Sequence, residues 1–271
     1  MGRSGTTVCA MGLAALLCGY VEAQTIGPKA VTTYETSRPK GQLDDIMSRI
    51  FLVRSEVKLP DGKTEDSIGT AFLYQRDEQF NYYITNDHVV TIPAKINGFF
   101  PMEIRLNAAE YVLYNNGLEW EKKDAGKLLY TDQKSDYAII VSPNNGGAPL
   151  APVFLELDGL SLGEKIYTIG VPNGTLPTLY SGNVAGLDTV AVEEDDAIPG
   201  YRLHVIGPPG VSGSVVFVER KGEYRWAGIL HSGSPANMFV QAIPVKTFYE
   251  TLYALTPDAV CAAQAQSLTT P

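Results

Sequence analysis

The chain is short of the side chains that carry most specialised chemistry. Its 271 residues include three cysteines and three histidines. Three cysteines cannot build a disulfide framework. The histidines are scattered, with no H-E-x-x-H and no cysteine pair beside them, so no zinc pattern exists. Glycine-rich phosphate loops and dinucleotide fingerprints are absent as well, and no cofactor is expected. Positive charge is scarce: 21 Lys and Arg stand against 30 Asp and Glu, a net charge of −9, which leaves no basic footprint for nucleic acid. The apolar run at residues 8–18, eleven residues long, is too short to span a bilayer, where roughly 20 are needed. What remains is ordinary globular material, 45% hydrophobic, 10% aromatic and 19% charged. That excludes a wholly disordered, collagen-like or coiled-coil protein. The length fits one large domain or two small ones, able to bury a core without disulfide or metal staples.

Residues 1–23 read as a removable secretory signal. Arg3 gives a weak positive start, residues 8–18 are apolar and uncharged, and Val21-Glu22-Ala23 offers small residues at the cleavage positions. An uncleaved anchor and a lipoprotein modified at Cys18 are the alternatives, although Leu17 is not the small residue a lipoprotein requires. Cleavage after Ala23 removes Cys9 and Cys18 and leaves Cys261 alone in a polar tail, so no internal disulfide forms. The expected setting is extracytoplasmic, periplasmic or secreted, with no stable membrane insertion once the signal is gone.

Residues 24–42 read as an extended lead-in and residues 256–271 as a disordered tail. Between them lie short apolar runs rich in Val, Ile, Tyr, Phe and Thr, among them 50–57, 70–74, 82–85, 137–141, 165–169, 201–206, 215–218, 226–230 and 239–242. Asp61-Gly62, Asn97-Gly98, Asn116-Gly117, Asn145-Gly146 and Asn173-Gly174 separate them, which is strand and hairpin chemistry. Only residues 245–255 carry a helical pattern, with Phe248, Leu252 and Leu255 on one face. An all-β sandwich or pair of barrels with one terminal helix follows. The Gly- and Asn-rich stretch 143–149 is the candidate linker between halves.

Three segments carry potential chemistry. GTAFLY (69–74) is followed by YITNDHVV (83–90), which puts His88 just beyond a strand end. SDYAII (135–140) leads Asp136 into an apolar strand. GPPGVSGSVVF (207–217) sets Ser212 in a glycine-flanked turn. Singly, each has a structural explanation: a surface histidine, a solvated turn aspartate, an ordinary hairpin. Together they supply what acyl transfer needs. A serine hydroxyl becomes a nucleophile when a histidine takes its proton, and an aspartate fixes that histidine's tautomer. Glycines let backbone N–H groups converge on a developing oxyanion. The order His88, Asp136, Ser212 differs from that of α/β-hydrolases and of subtilisins, and Ser214 replaces the second glycine of a G-x-S-x-G elbow.

With these motifs the sequence resembles the chymotrypsin-like serine peptidases, especially exported bacterial ones of the HtrA-like and glutamyl-endopeptidase kind. YTIGVP (167–172), SGNV (181–184), GILHSG (228–233) and Ala242-Ile-Pro244 extend the resemblance into a second half. It implies two six-stranded antiparallel β-barrels with a C-terminal helix, the site lying between them. The implied peptidase domain runs over 43–255, with barrel one at about 43–145, barrel two at about 150–245 and the helix at 245–255. His88 would be the general base, Asp136 its orienting partner and Ser212 the nucleophile of a serine endopeptidase. The N–H groups of Gly210 and Ser212 would form the oxyanion hole. The backbone of His231, Ser232 and Gly233 would pair with protein or peptide substrates as an added strand. Too few residues follow Pro244 for the peptide-binding PDZ domain of HtrA proteins, and no oligomeric state is implied.

Departures from the family pattern qualify this. Val211 replaces the aspartate that receives a freed N-terminus in digestive members, so activation by such a cut is not expected. Asp87, beside His88, either perturbs it or faces solvent. Ile206 stands where trypsin-like members carry an aspartate, which disfavours cleavage after Lys or Arg. His231 sits one position later than the histidine of glutamyl-specific relatives. A one-residue step on a strand reverses the face, which turns it towards Asp136 rather than the substrate pocket. Glutamate preference and small or medium apolar preference both stay open. His204 reads as structural, on a buried strand. The alternatives to an endopeptidase are a non-catalytic peptide-binding module of the same fold and an esterase using the same three side chains.

Overall fold

A computed structural model describes residues 41–59, 62–96, 102–107, 111–115, 122–191, 197–234 and 239–255. The signal and tail segments, Cys261 and the turns at 97–98 and 116–117 lie outside the described residues. The first half comprises α1 (Gln42–Ser48), β1 (Ile50–Lys58), β2 (Thr64–Arg76), β3 (Phe80–Thr85), α2 (Asp87–Val90), β4 (Thr91–Ile96), β5 (Met102–Asn107), β6 (Tyr111–Asn115), β7 (Lys122–Asp132) and β8 (Tyr137–Pro143). The second comprises β9 (Phe154–Leu155), β10 (Lys165–Gly170), β11 (Thr178–Ala191), β12 (Ala197–His204), β13 (Val215–Arg220), β14 (Glu223–Ser234), β15 (Phe239–Pro244) and α3 (Val245–Leu255).

Strands β1-β2-β3-β8-β7-β6 close a six-stranded antiparallel barrel, and β4 and β5 pair outside it. In the second half the order is β13-β10-β11-β12-β15-β14, and pairing of β13 with β14 closes a second barrel. The two-residue β9 adds to the edge of β14 in parallel, Arg225 opposite Phe154. The stretch read as a linker, 143–149, connects the barrels.

Period-two alternation explains the apolar runs. In β1, Phe51 and Val53 point into barrel one, whereas Ile50 and Leu52 point out of it into a second cluster. In β8, Ala138 and Ile140 go inside while Tyr137 and Ile139 go out. The same division holds in β13, with Val216 and Val218 inside barrel two and Val215 and Phe217 outside. The outward residues meet in a shared core, where Phe72 packs edge-on against Phe217 and Trp226 at centroid distances of 6.1 and 5.2 Å. Strands buried on both faces lose the polar positions of a half-exposed strand.

Helix α3 caps this shared core. Val245, Phe248 and Leu252 are buried, and Leu255 packs on the cluster's margin. Phe248 lies 5.4 Å from Trp226 of β14 and 5.5 Å from Tyr137 of β8, so one helix touches both barrels. Helix α1 was not evident in the sequence. It has seven residues, buries Ile46, and begins where the Asp44 carboxylate accepts the Gly41 N–H at 3.2 Å. His204 differs from expectation as well. It is exposed at the end of β12, because the strand alternates and Leu203 takes the inward place; its ring rests on Phe239, 5.5 Å away.

Candidate active site

His88 lies in the single helical turn α2, directly after β3. That turn is anchored from several sides. Asn86 Nδ2 donates to the Asp136 carbonyl at 2.9 Å. Asp87, which the sequence left either near His88 or in solvent, is only 1% exposed. Its carboxylate accepts hydrogen bonds from Thr91 Oγ1 at 3.1 Å and from Thr131 Oγ1. The buried carboxylate therefore ties α2 to β7.

Asp136 occupies the β7–β8 turn with φ of 47°, a left-handed conformation that aspartate tolerates better than most residues. One carboxylate oxygen, Oδ1, accepts the His88 backbone N–H at 2.9 Å. The other, Oδ2, faces His88 Nδ1 at 2.8 Å and also meets His231 Nδ1 in a very short contact. Burial alone would push the Asp136 carboxyl up, but hydrogen bonds from His231 and His88 and the attraction of both rings hold it at about 2. The carboxylate is thus ionised throughout the ordinary pH range.

The position of His231 comes from a bulge. Leu230 pairs with Ala242 and Ser232 with Gln241, which leaves His231 as the extra residue between them. Its ring is 5.7 Å from that of His88 at 78°. His88, Asp136 and His231 bring ligand-type atoms within 4.8 Å of one another, the grouping among the described residues with a donor set for a metal ion. Hydrogen bonds of both rings to the shared carboxylate account for that arrangement.

Ser212 shares with these residues a cavity of about 390 Å³, lined by His88, Gln133, Asp136, Ser212, His231, Ser232 and Gly233. Its Oγ donates a long hydrogen bond of 3.4 Å to the His231 carbonyl. The loop before it is fixed by barrel one and by the turn after β10. The Pro209 carbonyl accepts the Asn173 N–H at 2.6 Å, which directs the following Gly210 N–H the opposite way. Gly210 has φ of 88°, and a Cβ there would lie 2.8 Å from the Val171 carbonyl oxygen. Among the described residues no protein group takes the N–H of Gly210 or Ser212. Val211 is buried in the core of barrel two.

Thr70, which sequence reasoning did not single out, joins the two halves. Its N–H donates to the Ser212 carbonyl at 2.7 Å. Its Oγ1 donates to the Gly210 carbonyl at 3.0 Å and accepts the Val171 N–H at 2.9 Å. The signal was its place in GTAFLY. Ser232 and Gly233 line the cavity on β14. Pairing of β13 with this strand ends by Leu230, so beyond that point β14 is held by β15 and turns an edge to the cleft.

Comparisons with known proteins agree with this architecture. Residues 69–225 match the family model described as "Trypsin-like peptidase domain". "Serine protease HtrA-like" of Staphylococcus aureus strain USA300 is 25% identical over 172 residues, 60% of this chain. The counterpart from strain bovine RF122 / ET3-1 is 24% identical over 172 residues. The chain spans only 20% of the length of these relatives. Among solved structures, the active form of the Rv3671c protease from M. tuberculosis superposes with a TM-score of 0.58 at 15% identity, over 78% of this chain and 82% of that one. The inactive form of the same protease gives 0.55 at 15% identity, over 79% and 92%. These likenesses concern the fold.

Proposed function

The chain belongs to the trypsin-like peptidase domain family, and on that premise we propose that it is a serine endopeptidase working through Ser212, His88 and Asp136. The observation that carries the reading is the Asp136 carboxylate, which grips both the backbone and the ring of His88 beside the cavity that holds Ser212. An ionised Asp136 keeps the His88 proton on Nδ1, which leaves Nε2 as the acceptor. Ser212 Oγ attacks the substrate carbonyl while His88 takes its proton. The carbonyl oxygen becomes an oxyanion, and the N–H groups of Gly210 and Ser212 receive it. His88 then protonates the departing amine and leaves an acyl group on Ser212. Water, deprotonated by His88, releases that acyl group as the carboxylate product. His231, as a second donor to Asp136, steadies the carboxylate.

An extended peptide lies along the β14 edge at His231, Ser232 and Gly233, adding a strand to barrel two. Export is part of the same proposal and rests on residues 1–23; sequencing of the exported protein is expected to begin at Gln24. The direct test is digestion of an unfolded protein by the full chain, followed by mass spectrometry. Cleavage that disappears in Ser212→Ala supports the peptidase; equal cleavage in both sinks it.

One observation favours a second reading. Ser212 Oγ points to the His231 carbonyl, as would suit a module that binds peptides without turning them over. In that case wild-type protein and Ser212→Ala bind a peptide equally and neither cleaves it.

A further inference from the structure

Two of the chain's three histidines meet on one carboxylate, although acyl transfer needs a single ring there. Their spacing along the chain carries no metal motif; the fold brings them together. We propose that His88, Asp136 and His231 also form a binding site for a zinc ion, and that the bound ion switches the peptidase off. The switching rests on the peptidase reading above, whereas the binding does not.

Both rings present Nδ1 to the same oxygen. His88 Nδ1 lies 2.8 Å from Asp136 Oδ2, and His231 Nδ1 makes a very short contact with it. Ligand-type atoms of all three residues fall within 4.8 Å of one another. Tetrahedral zinc, with bonds of about 2.0–2.1 Å, holds neighbouring ligands about 3.3 Å apart. The rings therefore need to back away from the carboxylate by roughly half an ångström. His88 supplies such movement, because its side chain is 40% exposed and stands on a single helical turn. Two imidazoles and a carboxylate favour zinc over magnesium and calcium, which prefer all-oxygen ligands.

The other two ligands are buried and held in place, Asp136 at 3% exposure and His231 at 8%. Asp136 Oδ1 accepts the His88 N–H, and its carbonyl accepts Asn86 Nδ2. His231 is aimed by the bulge in β14, a device that redirects a side chain beside a site. Outer contacts of this kind orient metal ligands. All three residues line the cavity of about 390 Å³, which has room for a water as fourth ligand. The hydrogen-bonded state and the zinc state are alternatives for the same three atoms. Zinc on Nδ1 sends the proton of each neutral ring through solvent to Nε2, so each ring keeps one proton and none is released. His88 then carries a proton on the nitrogen that must receive the one from Ser212, and the base is lost. The pairing of β14 is untouched, so kcat falls while KM changes little.

The test is calorimetric titration of the untagged, chelator-stripped full chain with zinc chloride, beside fluorophosphonate labelling with and without the ion. The wild type and Ser212→Ala, which keeps all three ligands, are expected to bind zinc equally. His231→Asn is expected to bind more weakly by at least roughly 10- to 100-fold, the loss that follows removal of a mere hydrogen-bond partner of a ligand. Saturating zinc is expected to slow labelling of wild-type Ser212 by roughly 100-fold or more, the share a general base contributes. EDTA restores the rate, and magnesium leaves it unchanged. Equal zinc affinity in the wild type and His231→Asn overturns the site. Bound zinc with unchanged labelling overturns the switch. A wild type that takes no probe even in EDTA overturns the peptidase reading and the switch with it, while the zinc affinities still decide the site. Should His231→Asn fail to fold, diethyl pyrocarbonate modification of the wild type decides. Zinc is expected to protect His88 and leave the exposed His204 reactive; an unprotected His88 overturns the site.

Discussion

Thr70 Oγ1 bridges the Gly210 carbonyl and the Val171 N–H, so a barrel-one hydroxyl braces the Gly210–Val211 peptide, which lies between the two peptides whose N–H groups are proposed to receive the oxyanion. Thr70→Val keeps the shape and removes the bridge. It is expected to lower kcat roughly 10- to 100-fold with little change in KM, because small displacements of positioned groups cost that much. Steady-state kinetics on a cleavable peptide check this; an unchanged kcat contradicts it. Asp136 leads to a second expectation. Its folded pKa of about 2 lies below the ordinary 3.8, so the stability it contributes is complete above about pH 4 and is lost as pH falls to about 2. The amount is about 2 kcal/mol. Asp136→Asn removes this part of the acid dependence, readable as a flatter change of urea midpoint between pH 5 and pH 2. The proposed site residues His88, Asp136 and Ser212 stand out in the sequence because each lies in its own motif and the three chemistries interlock. Thr70 does not, because a buried β-branched residue in a strand looks the same whether it fills a core or braces a site.

At the scale of elements, the turns and bulges position the chemistry more than the regular strands do. The bulge in β14 turns the His231 ring onto Asp136, and one helical turn, pinned by buried Asp87, carries His88. The tight turn after Ser212 depends on Gly213, with φ of 84°, where a Cβ would fall 2.1 Å from the Thr70 carbonyl oxygen. Gly213→Ala is therefore expected to destabilise the protein by more than about 1 kcal/mol, measured by urea unfolding, and to loosen the contact between the barrels. An equal midpoint contradicts this. Strand positions were readable where both faces are buried, as in β8 and β13. The 14-residue β11 was missed, since its Gly, Asn, Thr and Asp positions interrupt any apolar run. Helix α1 was missed because seven residues carry barely two turns of pattern.

For the whole molecule, the decisive feature is the core that the two barrels share. Phe72, Phe217, Trp226 and Phe248 come from barrel one, barrel two and the last helix, yet they form one cluster. Trp226→Ala is expected to cost about 3–5 kcal/mol and to weaken both barrels in one cooperative transition, followed by tyrosine fluorescence and circular dichroism. Two separate transitions in the wild type contradict the shared core. The sequence showed two halves and a helix, but periodicity alone does not reveal which outward faces meet. The central claim is that these barrels bring Ser212 and His88 into one reactive pair. Mass spectrometry after fluorophosphonate treatment of the folded wild type tests it most directly. One adduct on Ser212, absent in Ser212→Ala and strongly slowed in His88→Ala, is the result expected; no adduct, or an adduct on another residue, contradicts it.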